Sequence, residues 1–323
     1  MQPIYTKYTR ATNISVPITL APMYYASTPQ MIIEAARAGA FGFIAAGFDS
    51  SLKLKTQMAS IRDALEVPQG QPVSMGVGLL GWILDLTETS DDPRIPAVLE
   101  EMPTAIWFAF GSDLGRYVAQ VRDYDSKRDH KTTIYVIVSS VTEALCAANE
   151  WKVDVLVVQG IEAGGHGTAA APPLFNLLPR VLEEISDGPL ILAAGGISTG
   201  SQIAALLAMG ADGVAMGTRF LFTTECMYNE DMKSVLVESD LNSTTRGLLF
   251  DDVNPTPTPV TWPEGIDGRA IVNKLVTDFK EGLSLDERKK RYAEAKQKAE
   301  KDRLIIWAGV GVGNVQRIMP TMV

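Results

Sequence analysis

One stretch of the 323-residue sequence combines glycines with a histidine, and it is the first candidate for chemistry. Residues 159–168 read QGIEAGGHGT, with four glycines in eight positions. Glycines let a backbone approach a bound molecule closely, and an imidazole can transfer a proton near neutral pH. His166 is one of two histidines, and the other, His130, lies in the polar run DHK and is interpreted as a surface residue. We therefore predict that His166 is catalytic, against the plainer interpretation of a glycine-rich turn with an incidental histidine.

Two further glycine-containing turns follow apolar runs and are suited to binding an anion. The first reads AAGGISTG at residues 193–200, and the second reads MGTRF at residues 216–220. Unpaired N–H groups and the positive end of a helix dipole attract phosphate, and Gly195 and Gly196 carry no side chain that would block its approach. Gly217 and Thr218 would add backbone donors and a hydroxyl. The two turns therefore predict a phosphate site, against two merely structural turns.

The first apolar segment ends in the run LAPMYY at residues 20–25. Because proline cannot donate to a strand ladder, the strand should end near Pro22. Met23 and the tyrosines after it then either pack in the core or lie against a flat aromatic ligand.

The hydrophobic pattern indicates the scaffold that must position these turns. Eight short apolar runs alternate with amphipathic stretches, and most runs are continuous, which is typical of parallel strands covered on both faces. Eight strand–helix units predict an α/β fold of the (β/α)8 TIM-barrel type, with its site at the carboxyl ends of the strands. A doubly wound sheet is the competing architecture. The predicted strands span residues 17–23, 41–47, 73–80, 105–110, 133–138, 154–159, 190–195 and 213–216, and the predicted helices span 29–38, 141–149, 174–185 and 201–209.

The character of the sequence changes after residue 221. A proline-punctuated segment, NPTPTP, spans residues 254–259, and Ser284 and Glu287 have the spacing of a capping box before a long charged helix. Apolar residues return at 305–307. The sequence therefore predicts a cofactor-binding TIM barrel from residues 1–221 plus 304–323. A small, mainly helical unit at residues 222–303, inserted after the eighth strand, is interpreted as a substrate lid.

Composition excludes several classes of function. The chain has 29 Lys and Arg against 38 Asp and Glu, a net charge of −9, which argues against a nucleic-acid binder. No apolar stretch reaches the roughly 20 residues of a membrane span, and no signal-peptide pattern is seen. Two cysteines and two histidines do not supply a disulfide framework, a dense metal cluster or three imidazole ligands for zinc. We expect a cytoplasmic enzyme without a metal that acts on a small molecule, with a homodimer left open.

Taken together, these residues resemble the FMN-dependent nitronate monooxygenase family, formerly called 2-nitropropane dioxygenases, to which flavin-type enoyl-ACP reductases are related. The resemblance covers about residues 17–225 and returns at residues 308–313. It is carried by APM at 21–23, QGIEAGGH at 159–166, AAGGI at 193–197 and GADGVAMGTRF at 210–220, with DGRA at 267–270 in the second unit. The second and fourth of these stretches are long and distinctive.

The resemblance implies FMN as the cofactor and an oxidation that uses O2. His166 would act as a base toward a neutral nitroalkane or orient the nitronate. The implied substrate is a nitronate or a related small organic acid, which reacts with O2 to give a carbonyl compound and nitrite. The implied FMN contacts are Ala21, Pro22 and Met23 at the ring system, Gly78 on the third strand, Gln159, Gly164 and Gly165 beside the histidine, and Gly195, Gly196, Ala215, Met216, Gly217 and Thr218 around the phosphate.

The sequence departs from the family at two positions and leaves other functions open. Relatives usually have a flavin-binding Asn after the third strand, where this chain has Gly78, and often a Gln or Lys on the fifth strand, where it has Ile137. The first alternative is an NAD(P)H-dependent flavin reductase of an enoyl or quinone substrate. An isomerase or aldolase of phosphorylated sugars and a non-catalytic binding module are the others. No lysine stands at a strand's carboxyl end to form a Schiff base, which disfavours the aldolase.

Overall fold

A computed structural model of this chain describes residues 2–254, 256, 261–298 and 300–321. Eight parallel strands close into a barrel in sequence order, which confirms the predicted TIM barrel. The first and last of them pair with Ile18 opposite Val214. The barrel strands are β1 (Ile18–Leu20), β2 (Phe41–Ala45), β3 (Val73–Leu80), β4 (Pro103–Ala109), β5 (Thr133–Val138), β6 (Val155–Gln159), β8 (Leu190–Ala194) and β9 (Gly213–Met216).

A helix follows each barrel strand, whereas the amphipathic pattern predicts only four of these helices. They are α1 (Lys7–Thr12), α2 (Pro29–Arg37), α3 (Ser51–Ala64), α4 (Gly81–Thr87), α5 (Arg94–Glu100), α6 (Gly115–Asp125), α7 (Val141–Asn149), α8 (Leu174–Glu184), α9 (Gly200–Ala208), α10 (Thr218–Leu221), α11 (Glu230–Glu238), α12 (Leu249–Val253), α13 (Lys274–Lys280) and α14 (Leu285–Lys298). The four predicted helices correspond to α2, α7, α8 and α9, each within one residue at either end. Thr199 caps α9 and forms a capping box with Gln202, which fixes where the turn after β8 ends.

The barrel interior is filled in layers of different side-chain size. Phe43, Trp107 and Tyr135 pack together in its middle, with ring centroids 5.0–6.1 Å apart. At the carboxyl ends of the strands, both small and large side chains join this interior cluster. Ala194, Ala215 and Ala21 lie on or just after the neighbouring strands β8, β9 and β1, and Ala109 ends β4, whereas Leu80, Phe110 and Ile137 lie on or just after β3, β4 and β5. Because alanine fills little space beyond Cβ, the edge formed by β8, β9 and β1 suits a flat molecule.

Residues 222–303 contribute helices α11 to α14, as predicted, and also two short strands. These are β10 (Thr244–Gly247) and β11 (Ile266–Ile271), and β11 pairs antiparallel both with β10 and with β7 (Gly165–Thr168). The sequence predicts a loop at residues 159–168, and this is wrong for residues 165–168. A strand forms there because its pairing partner comes from the inserted unit, which local sequence patterns cannot show.

Two other predicted features lie in the inserted unit, a long charged helix and a proline-punctuated segment. Ser284 accepts the N–H of Glu287 at 3.3 Å before α14, so the predicted long helix is confirmed. Most of the proline-punctuated segment at 254–259 lies outside the described residues. Among the residues that are described, no helix combines the length and apolar character needed to cross a membrane.

Candidate active site

The two predicted phosphate-binding turns lie side by side at the carboxyl edge of the barrel, because they leave the adjacent parallel strands β8 and β9. Gly195 and Gly196 have φ angles of +110° and +69°, which residues other than glycine rarely adopt. A Cβ at Gly195 would lie 3.1–3.3 Å from backbone atoms of Gly160 and Ala163. Glycine is therefore needed for this turn to pass so close to the loop after β6.

These turns present backbone donors without partners. Within the described residues, the N–H groups of Gly195, Gly196 and Gly217 donate no hydrogen bond. Thr218 Oγ1 accepts the N–H of Gly309 at 2.9 Å, which leaves the hydroxyl hydrogen available as a further donor. Three N–H groups and one hydroxyl at neighbouring strand ends are the kind of arrangement that binds phosphate.

The last part of the chain returns to this edge and contacts the loop after β6. The N–H of Val310 donates to the carbonyl of Glu162 at 3.1 Å. A Cβ at Gly164 would overlap the backbone of Gly309. The absence of a side chain at Gly164 is thus explained by this packing contact. Gly165, in contrast, has a φ of +68° and no atom within 4 Å of where its Cβ would be.

The end of β1 lies beside the turn after β9. The N–H of Ala21 donates to the carbonyl of Met216 at 3.0 Å. The Sδ atom of Met23 lies 3.4 Å from the position that a Cβ at Gly217 would take. The structure therefore brings the predicted first-strand residues together with the predicted phosphate turn.

Gly78 packs against Pro22 and does not leave room for the Asn that relatives carry there. A Cβ at Gly78 would overlap the Pro22 ring, with Pro22 Cγ only 2.6 Å away. The carbonyl of Gly78 accepts the N–H of Ala46 at 2.9 Å. In this chain, the backbone at residue 78 therefore lies too close to Pro22 for a side chain.

We expect Gly78→Asn to destabilise the protein by about 1–3 kcal/mol, the usual cost of overpacking a core. Urea denaturation measures the change. Gly70→Asn is the matched control, since nothing lies within 4 Å of its Cβ position and Asn tolerates its φ of +78°. Equal stability of the two variants would contradict this account of Gly78.

Gln159 ends β6 at the carboxyl edge of the barrel. Its side chain is buried, with 9% relative exposure, yet Oε1 has no hydrogen bond partner among the described residues. A buried carbonyl oxygen without a partner costs free energy, so such an atom calls for a missing donor. A Cβ at Gly167 would lie 3.0 Å from this oxygen and 2.8 Å from Nη2 of Arg246. Gly167 thus makes room for both side chains.

The three-stranded sheet has two faces with different chemistry. In the register of β7 and β11, Gly165 lies opposite Arg269 and Gly167 opposite Asp267, whereas His166 lies opposite Gly268. Because side chains alternate across a strand, the glycines and His166 belong to opposite faces. The glycine face carries the arginines toward Gln159, and the other face carries the histidine.

Two arginines lie directly opposite one another on the glycine face. Arg246 pairs with Arg269 in the register of β10 and β11 and forms an ion pair with Asp267. Arg269 donates to the carbonyl of Ile161 at 3.2 Å, and its Nε is buried with no partner among the residues that the structure describes. Burial lowers the pKa of the Arg269 guanidinium, the charge of Arg246 lowers it further, and nearby carboxylates oppose both effects. Adjacent cations at this edge favour an anionic ligand.

His166 is held from several sides. Its Nε2 lies 2.9 Å from Oδ1 of Asp251 on α12. Trp262 stacks on the imidazole, with ring centroids 3.6 Å apart and an angle of 11° between the planes, and Trp307 lies 4.7 Å away. The side chain keeps 13% of its surface exposed. An imidazole fixed in this way can transfer a proton without first changing its orientation.

A family model described as nitronate monooxygenase matches residues 6–322. This chain belongs to the nitronate monooxygenase family. It is 30% identical to a nitronate monooxygenase of Neurospora crassa, in an alignment that covers 94% of this chain and 85% of that protein. The resemblance inferred from the sequence is therefore confirmed, and the chain is an enzyme of a flavin-dependent family.

Solved structures share the fold of this nitronate monooxygenase family member. FabK from Thermotoga maritima has a TM-score of 0.77 and 21% identity, with 99% of this chain and 93% of that chain covered. A nitroalkane oxidase from Streptomyces ansochromogenes has a TM-score of 0.75 and 22% identity, with coverage of 97% and 94%. At these identities the likeness shows the fold alone.

Some of the FMN contacts that the family resemblance implies do not have their side chains at this edge of the barrel. Ala215 packs into the barrel interior, but Met216 packs into the cluster between the strands and the outer helices. Met216 therefore has only its backbone at the carboxyl edge. His130 lies apart, with Nε2 2.9 Å from the carbonyl of Pro103, the first residue of β4. It was predicted as a surface residue and is half-buried, at the end of the barrel opposite the candidate site.

Sequence reasoning missed Asp251, Arg246 and Trp262 as site residues. Asp251 stands beside Asp252 in a short charged run, and nothing local separates the one that reaches His166 from the one that pairs with Arg288. Arg246 lies on a strand of four residues, too short to give a clear alternating pattern. The sequence held a signal only for Trp262. Tryptophan is a rare residue type, with five copies in the chain, and this one stands in an otherwise polar stretch.

Proposed function

We propose that this enzyme is an FMN-dependent nitronate monooxygenase that converts an alkyl nitronate and O2 to a carbonyl compound and nitrite. The observation that carries the proposal is the arrangement around one barrel edge. Alanines on β8, β9 and just after β1 lie at the strand ends from which two turns with unpaired N–H groups leave, and the three-stranded sheet follows the loop after β6. This sheet carries two arginines on the face of Gly165 and Gly167 and a fixed histidine on the other face. Such an edge suits a flat molecule with an anionic tail and a small anionic substrate.

FMN fits the donors and acceptors that the chain leaves unpaired. The N–H groups of Gly195, Gly196 and Gly217 and the Thr218 hydroxyl would hold its phosphate. Gln159 Oε1 would accept a hydrogen bond from the cofactor, which would satisfy a buried atom that has no partner in the described part of the chain. When bound, FMN supplies the electron transfer from the nitronate and the reaction with O2.

The protein's own groups would bind the substrate and move its proton. Arg246 and Arg269 give the edge a positive character that attracts an anionic nitronate. His166 would take a proton from a neutral nitroalkane or donate a hydrogen bond to a nitronate oxygen. Two of these three residues belong to the inserted unit. We therefore propose residues 222–303 as the substrate lid of a barrel formed by residues 1–221 and 304–323.

The test is an aerobic assay of nitrite release from propionate 3-nitronate and short alkyl nitronates, with the purified protein first examined for bound FMN. We expect a flavin spectrum, release of FMN on denaturation, and nitrite formation that depends on both nitronate and O2. A protein that binds no flavin when purified or reconstituted with FMN would contradict the proposal.

The alternative is an NAD(P)H-dependent flavin reductase of an enoyl or quinone substrate. It stays open because the enoyl reductase domain of MlnA shares the fold, with a TM-score of 0.66. Anaerobic mixing of the flavin-loaded protein with NADPH separates the two functions. Rapid bleaching of the flavin by NADPH without bleaching by nitronates would favour the reductase, and the reverse result would favour the monooxygenase.

A further inference from the structure

From the contact between α12 and β7, we infer that Asp251 and His166 form a proton-transfer pair in which Nδ1, and not Nε2, is the base. This inference rests on the proposed function and names the atom that takes the proton and the residue that positions it. Asp251 acts through His166 and is a positioning residue.

One contact fixes the orientation of the His166 imidazole. Nε2 of His166 lies 2.9 Å from Asp251 Oδ1, and Nδ1 forms no hydrogen bond within the described part of the chain. A carboxylate only accepts hydrogen bonds, so this contact requires a proton on Nε2. The neutral ring then carries its free lone pair on Nδ1.

The second observation is that Asp251 is held in place for this contact. Its neighbours Leu249, Phe250 and Val253 on α12 are buried in a small apolar cluster of the inserted unit. The Asp251 side chain is 18% exposed, and its Oδ2 is buried without a partner among the described residues. A carboxylate held in this position would stabilise an imidazolium next to it.

The third observation concerns the other charges around His166. Arg246, Asp267 and Arg269 stand on the opposite face of the sheet, by the register of β10, β11 and β7. On α12, Asp252 faces Arg288 of α14 at 3.5 Å. The residues that stack on the ring, Trp262 and Trp307, are neutral. Asp251 is therefore the charged group that faces His166 in the described residues.

The proton transfer balances as follows. Nδ1 takes the proton from the carbon that bears the nitro group, and the electron pair of the broken C–H bond stays on the substrate as the nitronate. The imidazole becomes an imidazolium with Nδ1–H toward the substrate and Nε2–H toward Asp251. Neutral reactants thus become an anion and a cation, and Asp251 stabilises the cation. A nitronate added as the substrate is already deprotonated at this carbon and does not need the proton transfer.

The experiment is nuclear magnetic resonance of flavin-loaded protein with labelled histidine rings, which gives two sets of ring signals because the chain has two histidines. His130→Gln assigns them. We expect His166 in its neutral form to carry its proton on Nε2. We expect its Nε2–H resonance downfield of that of His130, whose acceptor is the carbonyl of Pro103, because a carboxylate forms the stronger bond.

The variants separate positioning from folding. Asp251→Asn should remove the downfield shift and lower kcat/KM for nitroethane by at least about 30-fold, while kcat/KM for ethyl nitronate stays within about threefold. Asp252→Asn, one residue along the same helix, should change neither. The wild-type spectrum tests the tautomer even if Asp251→Asn does not fold.

Several results would overturn the inference. They are a wild-type His166 with its proton on Nδ1, an Nε2–H resonance that Asp251→Asn leaves in place, or equal losses of rate for nitroethane and ethyl nitronate. If the wild-type protein releases no nitrite from either substrate, the proposed function fails. The spectra still decide whether Asp251 and His166 are paired.

Discussion

Replacement of His166 by alanine is expected to lower kcat/KM for a neutral nitroalkane by about 10²- to 10⁴-fold, the range that a positioned general base contributes. The chain offers no second imidazole at this edge, because His130 lies at the other end of the barrel. The bound FMN should be retained, since Gln159 and the two glycine turns, and not the imidazole, are the groups proposed to hold it. Nitrite release and flavin absorbance of the same preparation measure the two effects.

The matched control for this variant is His130→Ala, which removes the other histidine of the chain. It should keep wild-type kcat/KM and FMN content. A His166→Ala protein with full turnover on nitroethane would exclude His166 as the base, and one without flavin would mean that the histidine face also carries the cofactor.

Gly195→Ala is expected to weaken FMN binding by at least about tenfold. Alanine at a φ of +110° strains the backbone by about 1–3 kcal/mol. Its Cβ would also meet backbone atoms at 3.1–3.3 Å, so the turn must move. Movement by a few tenths of an ångström misaligns the N–H groups that would hold the phosphate. A loss of about 1.4 kcal/mol of binding free energy corresponds to about a tenfold weaker affinity. Fluorescence titration of flavin-free protein with FMN measures the dissociation constant.

Gly200→Ala tests whether the effect belongs to the turn. Gly200 begins α9 only five residues further on, and nothing lies within 4 Å of its Cβ position. Alanine is the better helix former there, so FMN affinity and stability should be unchanged or slightly higher. Equal FMN affinity of Gly195→Ala and the wild type would remove this turn from the phosphate site.

The barrel could be predicted closely from sequence because its signals are local. Strands buried on both faces read as continuous apolar runs, and helix boundaries follow capping residues such as Thr199. The two glycine turns were also predictable, since the glycines that shape them are adjacent in sequence and their strands are neighbours in any sequential barrel. The first strand was predicted at residues 17–23 but spans only Ile18–Leu20, because Pro22 stops the ladder and packs on Gly78.

The sequence by itself determined the barrel, the edge on which the site must lie, and the two turns and single histidine suited to chemistry there. Only the tertiary structure decided what surrounds that histidine. Asp251 lies 85 residues beyond His166 in the chain, and the strand that holds His166 forms only by pairing with β11. Contacts between such distant segments leave no periodicity or spacing in the sequence, because chain folding, and not local propensity, brings their residues together.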